Sequence, residues 1–236
     1  MPLCAGAGDD APQARCPTPE PPALARGWTP LAAGEIEAAL TAWRERDNGP
    51  RVYRVEPLGV ADLVPGAEGK AGLRLFVVRS SVSSFMRYFD KVAVLDGEPR
   101  QALLVYGCEA YNRLLDALGA GTVRDEQQAI ARVKAYLRAA AEDGASTMMQ
   151  KIDEDDPEQK RQGGKNVRGW FASHPDWRFH PPEAASVKGG WIVYYYAWEM
   201  VHGVLLAERV RVDSRGHIGF HTSERLASGL GGFSIH

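Results

Sequence analysis

The sequence predicts an α+β fold in which antiparallel sheet is packed with about three helices, behind a flexible leader. Three observations predict it. Apolar residues recur at helical spacing in three separate stretches. Strand-length apolar runs are joined by turn signals suited to hairpins. The composition, 44% apolar and 25% charged over 236 residues, is that of an average globular protein.

The first 27 residues stand apart, with Pro2, Pro12, Pro17, Pro19, Pro21 and Pro22 and almost no large apolar side chain. Such a segment buries too little surface to offset the entropy of ordering it, so it reads as a flexible tether. Residues 28–236 then form one domain with a long polar loop at 145–190. Gly34 to Asp47 carries Ile36, Ala39, Leu40 and Trp43 at helical spacing, and Asn48-Gly49-Pro50 stops it. Strands follow at Arg51–Glu56, Leu73–Arg79, Val92–Leu95 and Gln101–Tyr106. Asp96-Gly97-Glu98-Pro99 makes the last two a hairpin.

Helical spacing returns from Cys108 to Leu118, with Gly119 as its C-terminal stop. The next helix starts at an Asp125 cap, with Gln128 placed for a capping box. Ile130, Val133, Tyr136, Leu137 and Ala140 form its stripe, and Gly144 ends it. Residues 145–190 are polar and irregular, which suits a functional loop, a partly helical excursion or a disordered stretch. Trp191–Met200 has the composition of a strand covered on both faces. Val204 to Asp213 and Ile218 to Thr222 form a hairpin around Asp213-Ser214-Arg215-Gly216.

Helix followed by antiparallel meander resembles the element order of cystatin-like and NTF2-like folds, an analogy of fold only. The two halves also share an outline, Val92–Gly97 against Val210–Gly216, which suits a duplicated helix-plus-meander unit.

Bulk properties exclude more function than they suggest. A net charge of −2 gives no reason to expect nucleic acid or an anionic membrane surface as partner. The longest apolar run, Trp191 to Trp198, is far short of the roughly 20 residues that span a bilayer. Cys4, followed by a proline-rich tether, has the look of a lipid-anchored cysteine, although no apolar segment precedes it. The compartment therefore reads as cell envelope or cytoplasm. Three cysteines do not make a disulfide framework.

Cys108 is the sharpest candidate for chemistry. It opens a helix after an apolar strand and Gly107, where the helix dipole favours a thiolate. A cysteine-dependent hydrolase or transferase would pair it with His202, His217 or His221 as base. The alternative is a small buried hydrophobe. His217 and His221 share one side of a strand, roughly 13 Å apart by strand rise, too far to ligate one metal. The bland reading is exposed strand histidines.

No H-x-x-x-H and no C-x-x-C occurs, and Glu158 and Gly164 stand where a calcium loop from Asp153 needs Gly and Glu. With no G-x-G-x-x-G or P-loop either, neither a metal nor a cofactor is expected. Trp170, Phe171, Trp177 and Phe179 lie in the polar loop, where aromatics either pin it to the sheet or recognise a partner or ligand. The expectation is a non-enzymatic binding or interaction protein, of the envelope-accessory or immunity type, using the sheet and this loop.

Overall fold

A computed structural model of the chain describes residues 27–31, 52–64, 67, 69–81, 87–140, 147–152, 164–199 and 203–230. The leader with Cys4 and Cys16, the stripe at 34–47, Gly144, the acidic run at 153–156 and His202 lie outside the described residues.

The architecture is α+β, with two antiparallel sheets. Sheet A holds β1 (Thr29–Pro30), β2 (Val52–Leu58), β3 (Leu73–Ser81), β4 (Arg87–Leu95) and β5 (Gln101–Leu104), in the order β1-β5-β4-β3-β2. A short helix α1 (Val60–Leu63) joins β2 to β3. The expected hairpin is present, pairing Leu95 with Gln101. Val92, Ala93 and Val94 are buried consecutively, as are Ala102 to Val105, so these strands are covered on both faces.

Two helices follow. In α2 (Gly107–Leu118), Ala110, Tyr111, Leu114, Leu115 and Leu118 make one buried stripe, and Gly119 closes the helix in the left-handed conformation at φ 63°. In α3 (Glu126–Ala140) the start is fixed by a reciprocal cap. The Gln128 N–H donates to Asp125 Oδ1 at 2.8 Å, and Gln128 Oε1 accepts from the Arg124 N–H at 3.0 Å. Buried Ala129, Ala135, Ala139 and Ala140 let α3 approach its neighbours closely.

Sheet B is built from β6 (Thr147–Met148), β7 (Glu183–Val187), β8 (Gly190–Glu199), β9 (Val204–Asp213) and β10 (Ile218–Ala227). Its order runs β10-β9-β8, and β7 and β6 share the far edge of β8 at its two ends. The β7–β8 turn requires glycine, because a Cβ at Gly190 would overlap the Val212 carbonyl oxygen. The β9–β10 turn is an Asx turn in which Asp213 Oδ1 accepts from the N–H of Arg215 and of His217. Gly216, at φ 85°, lies against the buried Arg132 guanidinium, which a Cβ would meet at 3.1 Å.

The helix pair joins the two sheets, since α2 touches both β5 and β10 while α3 packs on β7, β8 and β9. One buried cluster accordingly contains side chains of both sheets and both helices. A smaller cluster lies on the other face of sheet B, centred on Met149, Val167, Tyr196, Trp198 and Leu205.

Among the alternatives for 145–190, the described residues fit the partly helical excursion. A further helix α4 (Gly164–Ser173) and strands β6 and β7 fall within it. The stripe of α4 is only Val167, Trp170 and Phe171, one helical turn of signal inside a polar composition, and β7 is five residues rich in alanine.

Candidate functional site

Strand alternation decides what each face of sheet B carries. In β8, Val193, Tyr195 and Ala197 join the helix-facing core, whereas Tyr196 and Trp198 belong to the outer cluster. In β9, Leu206, Val210 and Val212 face the helices, and Leu205 and Ala207 face out. Glu208 falls between Leu206 and Val210 and is only 3% exposed, a carboxylate where the pattern asks for an apolar side chain.

Its partners explain how it is tolerated. His221 Nε2 lies 2.9 Å from Glu208 Oε2, and the Ser223 hydroxyl donates to Oε1 at 3.0 Å. With Glu208 ionised, Nε2 carries the proton and donates to it. The Tyr195 hydroxyl is 3.4 Å from the same nitrogen, and Tyr136 of α3 presents its ring to His221 at 81°. Burial, with the Glu208 charge adding to it, pushes the Tyr195 phenol well up and that of Tyr136 to about 12, so both stay protonated at neutral pH. Both hydrogen bonds to Glu208 are charge-assisted, and the network ties β8, β9, β10 and α3 together. It is not a nucleophile–base–acid relay, because Ser223 bonds the carboxylate rather than the imidazole.

The outer face of the same rows forms a cleft. Tyr194, Arg209 and Thr222 stand in register across β8, β9 and β10, and two residues along so do Tyr196, Ala207 and Glu224. Small Ala207 leaves a hollow among larger neighbours, and the cleft over these rows has a volume of about 180 Å³. Arg209 Nε donates to Thr222 Oγ1 at 3.4 Å. Among the described residues neither Arg209 nor Glu224 makes an ion pair.

The connection from α4 to β7 supplies the lip. Tyr196 donates to the Arg178 carbonyl oxygen at 3.1 Å and meets the rings of Phe171, Phe179 and His180 at 5.0, 5.8 and 4.9 Å. Burial raises the Tyr196 phenol to about 12, which keeps it a donor. His180 lines the cleft, and its Nδ1 is 2.8 Å from the Pro181 carbonyl oxygen. A carbonyl only accepts, so Nδ1 carries the proton. In the neutral ring Nε2 is then a bare acceptor, and it makes no hydrogen bond.

The residues singled out from sequence distribute as follows. Cys108 is 2% exposed within the main core and is disulfide-bonded, so it offers no thiol to ionise and no accessible sulfur. The chain's other cysteines, Cys4 and Cys16, are outside the described residues. His217 precedes β10 rather than lying in it, and its Nε2 is 2.9 Å from Asp116 Oδ1 of α2. His221 is committed to Glu208. The two are therefore not exposed strand histidines but carboxylate-held ones, with side chains 17% and 22% exposed.

Trp170, Phe171, Trp177 and Phe179 are all half-buried on the outer cluster, so they pin the connection to the sheet. Trp170 also stacks on His174 at 4.3 Å. Among the described residues no three of His, Cys, Asp and Glu converge on a metal position, and no helix is long and apolar enough to cross a membrane.

Glu208, Tyr195, His180, Arg209 and Glu224 escaped the sequence reading. Only Glu208 left a signal, as the one charged residue on the apolar parity of β9. No protein family, no curated protein and no solved structure matches the chain, so the likeness to cystatin-like and NTF2-like folds stays one of element order.

Proposed function

We propose that this chain is a non-enzymatic binding protein that takes its ligand in the cleft between the outer face of sheet B and the α4–β7 connection. One observation carries the reading. The cleft's floor is rigid strand and its lip is held by ring packing and a hydrogen bond on Tyr196, so the pocket is preformed. The buried Glu208 network supports the floor from behind, fixing the registers that place Tyr194, Arg209 and Glu224.

Two further facts favour binding over covalent chemistry. Cys108 is held in a disulfide, and the imidazoles of His217 and His221 are occupied by carboxylates. An aromatic-pinned loop over a sheet is also a platform for a protein partner, and the cleft is the part of it with specific polar groups.

Ligand-detected NMR with a fragment library tests the proposal on the full chain and on Ala207→Leu, which fills the hollow. Fragments that bind the wild type and lose binding in a variant of unchanged stability are the expected result. Fragment binding that Ala207→Leu leaves intact overturns it.

A further inference from the structure

We infer that the cleft is built for a small zwitterion of amino-acid size, carrying one carboxylate and one ammonium group. The inference rests on the binding reading above and adds the chemistry of the ligand. The hollow over Ala207 has unlike charges on two sides. Arg209 lies two residues along β9 on the same face, roughly 6.7 Å by strand rise. Glu224 lies directly across the ladder on β10, at about 5 Å between Cβ atoms.

These two residues are diagonal neighbours, a separation that long side chains can close. They do not close it: Arg209 turns to Thr222, and Glu224 makes no ion pair among the described residues. An open cation and an open anion flanking one small hollow suit a ligand that presents the opposite pair. Arg209 offers a planar fork for a carboxylate. Glu224 accepts from an ammonium group.

The remaining walls agree with that assignment. Tyr194, half-buried at the cleft, gives an apolar face for the ligand's side chain. His180 Nε2, buried at the cleft wall without a hydrogen-bond partner, adds a polar position beside the hollow. The volume of about 180 Å³ is on the scale of an amino acid. Both charged side chains are exposed, so each contact is solvent-screened and the affinity is modest.

Titration calorimetry on the full chain, using a panel of free amino acids, tests this. Each is compared with its N-acetyl form, which lacks the ammonium group, and its amide, which lacks the carboxylate. The expected result is that at least one free amino acid binds and that either block weakens it about tenfold. Arg209→Gln should erase the penalty for the amide, and Glu224→Gln the penalty for the acetyl form. Both substitutions are at exposed positions, and unchanged melting temperatures confirm that they fold.

Equal binding of free and blocked forms, or no binding by the panel, overturns the zwitterion assignment. Neutral fragments that Ala207→Leu displaces would then still uphold the cleft. Zwitterion binding that neither charge substitution alters places the ligand elsewhere and overturns the inference outright.

Discussion

Glu208→Ala isolates what the buried carboxylate does for sheet B. Glu208 is 3% exposed and accepts two hydrogen bonds, at 2.9 Å from His221 and 3.0 Å from Ser223. A hydrogen bond to a charged group is worth about 1.5–3 kcal/mol net, and the space left behind adds to the loss. The partners soften it, since His221 is 22% exposed and Ser223 lies on the edge strand, so both find water. The net loss is about 2–3 kcal/mol, below the 3–5 kcal/mol of a fully buried pair.

For a domain of this size that is a fall of about 5–10 °C in melting temperature. Urea unfolding of the wild type, Glu208→Ala, His221→Ala and the double variant measures it, and the cycle should return a coupling of about 1 kcal/mol or more. A loss under about 0.5 kcal/mol, or strict additivity, refutes the claim that the network braces the sheet.

Three other outcomes follow from the same structure. Tyr111 and Tyr136 are raised to about 12 and Tyr195 well above its ordinary value, each by burial first. Such phenols hold their protons in the folded state after the unfolded chain has begun to lose them. The contribution of these phenols to stability is therefore constant below pH 10 and falls above it by about 1.4 kcal/mol per pH unit for each, until the folded state ionises as well. Absorbance at alkaline pH should show these three ionising only with unfolding, and a reversible titration of all eight tyrosines near pH 10 is the opposite result. Iodoacetamide should leave Cys108 unmodified even in denaturant until a reductant is added, and an adduct without reductant contradicts the disulfide. Gly190→Ala forces a Cβ onto the Val212 carbonyl and should destabilise by about 2 kcal/mol or more, whereas a neutral substitution would show that the β7–β8 turn is looser than described.

What was legible in the sequence followed signal length. The helices at Gly107–Leu118 and Glu126–Ala140 repeat their stripes over several turns and carry explicit stops or caps, so both starts and the end at Leu118 could be read within a residue or two. The turns at 96–99 and 213–216 are chemically specific, and both hairpins are where those residues place them. Helix α4 could not be placed within 145–190 because a single turn of apolar residues does not rise above its polar surroundings, and β7 escaped because Ala, Ser and Glu carry weak strand preference.

The site was less visible for a different reason. Its parts come from β8, β9, β10 and the loop before β7, and their register across strands decides which side chains meet. A single sequence states parity along a strand but not which strand lies beside it. Glu208 shows the limit. Its place among Val204, Leu206, Val210 and Val212 marks an anomaly, but His221 and Ser223 emerge as its partners only once β10 pairs with β9.

The central claim is that the cleft over Ala207 is the binding site, and amide shift mapping of the full chain with its best-binding ligand tests it most directly. The predicted perturbations cluster at Tyr194, Tyr196, Arg209, Thr222, Glu224 and His180, and vanish in Ala207→Leu. Perturbations centred elsewhere, or unchanged by that substitution, contradict it.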